Sequence, residues 1–241
     1  MSNLFKLVLV SSIGAAVLSA CGGGGGDTAP AAQTSIAPTP VNSFALQAGY
    51  KARLASGSTV NYLVSGTCAG SARGSASAPN ATTFEGSSAL AVTTTLTISF
   101  TNCTPTSTAV TSLTYIDSNY SLLGSSVAGT YYGKFLTIPS PLPTSVKVGD
   151  TAVYGTETLY TDSSKQTSKG QRTYSYVIEP DGTSTTTAIA NLILKEFNSA
   201  NQLLITGQRR ARITADGTIT PVSMDLQSST TSTNHFVLTA N

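Results

Sequence analysis

The sequence predicts an all-β domain, an antiparallel meander folded into a β-sandwich or a half-open barrel. Three observations carry that expectation. Apolar and polar residues alternate with period two through most of the chain, the pattern of strands with one buried face. Ser and Thr make up about 30 % of the 241 residues, while charged side chains make up only 10 %. Thr, Val, Ile and Tyr suit a pleated, half-buried surface, and the scarcity of Lys and Glu disfavours exposed helices. Turn signals punctuate the alternation, among them Asp181-Gly182 and Asp216-Gly217, and Asp-Gly between alternating runs is a strong hairpin cue.

Ahead of the predicted domain, residues 1–20 have the three parts of an export signal. Lys6 supplies the positive charge, 7–18 the apolar stretch, and Ser19 and Ala20 the small residues of a cleavage site. The apolar run is shorter than the roughly 20 residues that cross a bilayer, and Ser11, Ser12 and Gly14 interrupt it. The four residues Leu18-Ser19-Ala20-Cys21 resemble the lipobox of bacterial lipoproteins, in which the cysteine sulfur is lipidated and the cysteine becomes the new N-terminus. That resemblance implies a diacylglyceryl group and an N-acyl chain on Cys21, with the membrane as partner. Each buried methylene contributes about 0.8 kcal/mol, and one chain alone binds only reversibly, so several chains together make release negligible. The position after the cysteine is Gly22 rather than Asp, which within that family implies outer-membrane sorting and a place in the cell envelope.

Residues 21–42 follow as a linker of Gly, Ala, Pro and Thr, starting with the five glycines 22–26. Such a segment buries too little apolar surface to offset its ordering entropy. It reads as a disordered tether spanning roughly 25 Å. No strand precedes these glycines and no helix follows them, so they lack the context of a phosphate-binding loop. The chain as a whole resembles uncharacterised Gram-negative outer-membrane lipoproteins with poly-glycine tethers, and that resemblance implies an address without an activity.

The domain proper is expected over 43–241, with Pro139, Pro141 and Pro143 marking either a crossing between two β layers or a boundary between 43–138 and 146–241. Strands are predicted over 44–54, 59–64, 89–100, 130–138, 152–160, 172–178, 189–197, 203–213, 219–226 and 235–239. No window reads as a convincing amphipathic helix. The nearest, 188–198, is β-branched and runs into the turn Asn198-Ser199-Ala200-Asn201, so a strand is favoured there too.

With Cys21 committed to lipid, Cys68 and Cys103 remain as a pair in an oxidising compartment. Each follows a strand-like run, and joining them would contribute about 3–4 kcal/mol in the chain-entropy model. A metal or redox role lacks support, because there is no Cys-x-x-Cys and His235 is the single histidine. No cofactor is expected.

Candidate chemistry is sparse. Without the first 20 residues the chain has 12 basic and 11 acidic side chains, and no basic run suggests nucleic acid. His235 could serve a serine nucleophile as base, but no Gly-x-Ser-x-Gly or Ser-x-x-Lys pattern occurs. Glu157, Glu179 and Glu196 fall on separate predicted strands and could meet on one sheet face, as a glycoside hydrolase would need. Cross-strand pairing with solvated cations is the simpler role. Arg209, Arg210 and Arg212 form the one charge cluster. Arg210 and Arg212 share a face, Arg209 points opposite, and Arg172, Lys195 and Glu196 are expected neighbours. Arg172, Arg210 and Arg212 are therefore the candidate anion-binding residues, set against a role as edge charges that deter aggregation. The sequence thus suggests a membrane-anchored envelope protein with a non-catalytic binding or structural β domain and an envelope protein or glycan as partner. A carrier of lipid or another hydrophobe, with a half-barrel pocket, is the second reading, and a carboxylate-based enzyme acting on glycans is the third.

Overall fold

No β-branched residue occurs between Phe44 and Ser56, where Ala, Leu, Gln, Lys and Arg predominate. These are strong helix formers, and Leu46, Tyr50 and Leu54 recur at the i, i+4 spacing of one helix face. In the computed structural model, which describes residues 43–228 and 234–241, this stretch is helix α1 (Leu46–Ser56). The strand expected over 44–54 is thereby corrected: the alternation of Phe44, Leu46, Ala48 and Tyr50 is outweighed by helix propensity and by burial of the four-spaced face. The export signal, Cys21 and the 21–42 linker lie outside the described residues.

The rest is sheet. The first strands are β1 (Ser58–Gly66), β2 (Gly70–Ala76), β3 (Asn80–Phe84), β4 (Ser87–Phe100), β5 (Ser107–Ile116), β6 (Leu122–Val127) and β7 (Tyr131–Phe135). Then come β8 (Thr151–Tyr160), β9 (Ser168–Pro180), β10 (Thr187–Asn198), β11 (Leu203–Thr214), β12 (Ile219–Ser228) and β13 (His235–Ala240). From β4 to β13 each strand pairs antiparallel with the next, a continuous meander. Three further pairings close it, one of them the β1–β2 hairpin. β13 pairs with β1, with Val64 opposite Leu238, and β2 pairs with β4, with Ala72 opposite Ile98. The result is a closed barrel of 12 strands, with β3 as a thirteenth lying on β4 beside β2. Neither a sandwich nor a half-open barrel forms, because the β2–β4 ladder joins the two ends of the meander. Strands from 43–138 and from 146–241 share this one sheet through the β7–β8 and β1–β13 ladders.

Four strands, β2, β3, β5 and β6, were not expected. Their inward positions carry small residues such as Ala72, Gly74, Ser112 and Ser125, which give little hydrophobic alternation to read. The Cys68–Cys103 disulfide joins the β1–β2 turn to the β4–β5 loop. It therefore staples the top of the closing seam, next to the Gly70–Phe100 pair. Beneath it Val64, Ile98, Phe236 and Leu238 form an apolar cluster.

Twelve strands enclose more room than wall side chains fill, since about eight already make an interior that side chains or one small ligand can occupy. Helix α1 fills part of the excess. It lies across the end where β9 and β11 finish and β10 and β12 begin, packing Leu46, Tyr50 and Leu54 with Ile116, Ile178, Ala188 and Ile213. Phe44 bridges to Val146, and the Gln47 amide donates to the Pro143 carbonyl at 3.2 Å. The proline-rich connection between β7 and β8 thus closes over the helix rather than separating layers. The outer wall is polar. Thr95 and Thr111 hydrogen-bond there at 3.0 Å, and Arg210 and Arg212 pair with Glu179 and Asp181. A barrel embedded in hydrocarbon would instead present an apolar outer band. Among the described residues no helix is long and apolar enough to cross a membrane.

Candidate functional site: the barrel lumen

Register places the chemistry. Glu157, Arg172 and Glu196 are directly opposite one another on β8, β9 and β10, and all three point inward. Arg172 Nη1 donates to Glu157 Oε2 at 3.0 Å, and Nη2 donates to Glu196 Oε2 at 2.6 Å. Its guanidinium also lies over the Tyr131 ring, 4.6 Å from the centroid. Glu157 accepts two more bonds, from the Ser125 hydroxyl at 2.6 Å and the Tyr174 hydroxyl at 2.8 Å. Gly133 makes room for this carboxylate, because a β-carbon there would stand 2.3 Å from Glu157 Oε1. Arg172 is 1 % exposed and Glu157 fully buried. Burial works against the Arg172 charge, but Tyr174, Tyr131, Glu196 and Glu157 outweigh it and hold the guanidinium above its ordinary value.

Above and beside this network is open space. A cavity of about 120 Å³ is lined by Arg172, Glu157 and Glu196 and, beside them, by Leu192, Leu194, Ile205 and Leu226. Its lining runs from Tyr50 on the helix to Thr130 and Lys169 at the opposite end of the barrel. There the Lys169 ammonium donates to the Thr130 carbonyl at 2.7 Å. A second cavity of about 80 Å³ lies against α1, bounded by Arg53, Tyr62, Thr94 and Met224. Tyr50, Leu142, Leu192 and Arg209 line both, so the two cavities adjoin there.

The lumen carries excess positive charge. Arg53, Lys169, Arg172 and Arg209 line the two cavities against Glu157 and Glu196; Arg210 also borders the second but is paired outside with Glu179. Several polar atoms at these walls have no hydrogen-bond partner among the described residues. They are Arg172 Nε and Thr114 Oγ1 in the first cavity, and Arg53 Nε and Thr94 Oγ1 in the second. Each such buried group costs roughly 1–3 kcal/mol, so they mark places where a bound group would be welcome.

Of the residues singled out from sequence, Arg172 is in the lumen, while Arg210 and Arg212 are on the outer wall with their carboxylate partners. The three do not converge. Glu157 and Glu196 do meet, on one guanidinium, and Glu179 faces outward, accepting from Asn191 and Arg210. Both lumenal carboxylates are thus tied to the same cation. His235 is at the surface beside Asp225, 2.9 Å away. Arg53 was missed, because its segment read as a strand. Among the described residues no group of His, Cys, Asp and Glu is arranged to hold a metal ion. Comparison of the chain with protein-family models, with curated proteins and with solved structures found no match.

Proposed function

We propose that the protein is a lipid-anchored envelope lipoprotein whose barrel binds a small amphiphilic molecule in its lumen and does not transform it. One observation carries this reading: a 120 Å³ cavity is lined by apolar side chains and by buried polar atoms that have no partner among the described residues, inside a barrel with surplus positive charge. Small-molecule sites combine an apolar lining with a few placed polar groups, and an apolar cavity of comparable size, about 150 Å³, holds a ring as large as benzene. The anchor rests on the lipobox at Cys21. The described chain begins at the end that α1 closes, beside Val146. Leu136, Ile138, Val148 and Val153, four of the five exposed large hydrophobic residues, sit in or next to the β7–β8 connection at that same end. A tether arriving there would turn this end toward the bilayer and leave the Thr130–Lys169 end facing solvent.

Two measurements test the reading. Titration with anilinonaphthalene sulfonate, an apolar body with one anion, should saturate at one site per barrel. Gly207→Leu, which puts a side chain between Leu194 and Leu226, should abolish that binding while leaving the circular dichroism unchanged. Unsaturable binding, or binding indifferent to Gly207→Leu in the folded variant, would refute lumenal binding. Separately, Cys21→Ala should abolish palmitate labelling and release the protein from membranes; retained labelling would refute the anchor.

A further inference from the structure

We infer that the second cavity is an anion site: it takes the carboxylate of an amphiphile whose apolar chain lies in the first. This rests on the lumenal-binding reading and adds to it the head group and the orientation.

The second cavity contains cations and no carboxylate. Arg53 and Arg209 line it, and among the described residues no Asp or Glu does. Arg53 is only 9 % exposed; its Nη1 donates to the Ile219 carbonyl at 3.2 Å, and its Nε is left without a partner among the described residues. Thr94, across the cavity on β4, is 7 % exposed, and its hydroxyl is also without one. An N–H and an O–H donor therefore border the same 80 Å³. A carboxylate offers two acceptor oxygens and one negative charge, which matches this set. Water could accept from the same donors but would leave the charge unbalanced. Burial has pulled the Arg53 guanidinium down to about 10, and it lowers Arg209 as well. The Arg53 guanidinium has lost hydration that a bound anion would replace.

The first cavity suits the other half of the ligand. Glu157 and Glu196 already balance the Arg172 charge there and would repel another anion, whereas Leu192, Leu194, Ile205 and Leu226 are apolar. Arg209 and Tyr50 line both cavities and stand where head would meet chain. The head thus lies deep against α1, and the chain points to the Thr130–Lys169 end.

Calorimetric titration of the full chain with octanoate, and with octanol as the uncharged counterpart, tests this. Octanoate should bind at least tenfold more tightly than octanol. Thr94→Val should weaken octanoate about tenfold or more, the worth of a hydrogen bond to a charged group, and weaken octanol, an uncharged acceptor, by much less. Thr94→Val keeps the side-chain shape and removes only a buried hydroxyl, so its melting temperature should hold or rise. Equal affinity for octanoate and octanol, or octanoate binding unmoved by Thr94→Val, would overturn the anion site while leaving lumenal binding in place. Absence of binding by both would overturn the two together.

Discussion

Gly49 of the helix lies so close to Gly217 in the β11–β12 turn that a β-carbon on Gly49 would stand 1.9 Å from the Gly217 carbonyl oxygen. The obstacle is backbone, which cannot swing aside as a side chain would. Gly217 itself has φ +89° and lies against the Ala45 carbonyl, so this turn has little freedom to retreat. The helix is seated in the barrel end by this contact of two glycines and by Arg53 reaching the Ile219 carbonyl.

Gly49→Ala should therefore unseat α1. Overpacking of this kind costs about 1–3 kcal/mol, and a domain of this size loses roughly 2–4 °C per kcal/mol. The melting temperature should drop by several degrees. Ala48→Gly, at the neighbouring position of the same helix, serves as the control for helix propensity alone, worth about 1 kcal/mol. A Gly49→Ala melting temperature equal to the native one would show that the helix is not held by this contact.

Arg172 should be the most costly lumenal side chain to remove singly. It is the cation paired with both Glu157 and Glu196 where there is almost no solvent, and breaking a buried pair costs about 3–5 kcal/mol because a charge is left stranded. Arg172→Met should therefore lower the chemical unfolding midpoint markedly. Adding Glu157→Gln and Glu196→Gln should recover much of the loss, since no unpaired charge then remains. If the triple variant is no more stable than Arg172→Met, stranded charge is not what the single variant suffers from.

The extent to which this architecture can be read from the chain depends on side-chain size. The large-residue strands β1, β4 and β8 to β13 show in the alternation because Val, Leu, Ile, Tyr and Phe mark their buried faces. β2 and β6 do not, since Ala72, Gly74 and Ser125 are small enough to admit Tyr62, Leu96 and the Glu157 carboxylate from neighbouring strands. Period two also says which residues share a face without saying which face is inside. Arg209 opposite Arg210 was legible; that Arg209 points into a lumen became clear only once β2–β4 closure defined one. The Glu157–Arg172–Glu196 alignment depends on the β8–β9–β10 register, including a bulge near Gly155, and local sequence does not set it. Cys68 and Cys103 were legible by arithmetic alone.

Glu85 gives the fold a pH dependence with a definite sign. It occupies the two-residue β3–β4 turn at φ +53°, followed by Gly86 at φ +79°, the left-handed pair of a tight hairpin. Its carboxylate accepts from Lys134 at 2.7 Å, Lys165 at 2.5 Å and the Tyr132 hydroxyl at 2.6 Å. The β3–β4 hairpin is thereby fastened to β7 and to the β8–β9 turn, while Phe84 stacks on Tyr115 and Tyr132. Lys134, Lys165 and Tyr132 pull the carboxyl from its ordinary 4.5 down to about 2. A depressed acid contributes its stability above the unfolded value and loses it as pH falls through the folded one. The contribution is thus complete above about 4.5 and lost as pH falls toward and through about 2. Glu85→Gln should destabilise the protein at pH 7, and the gap in denaturant midpoint should narrow below pH 4.5 and nearly close at pH 2. A gap of the same size at pH 7 and pH 2 would mean that the hairpin is held by the stacked rings and not by the charge.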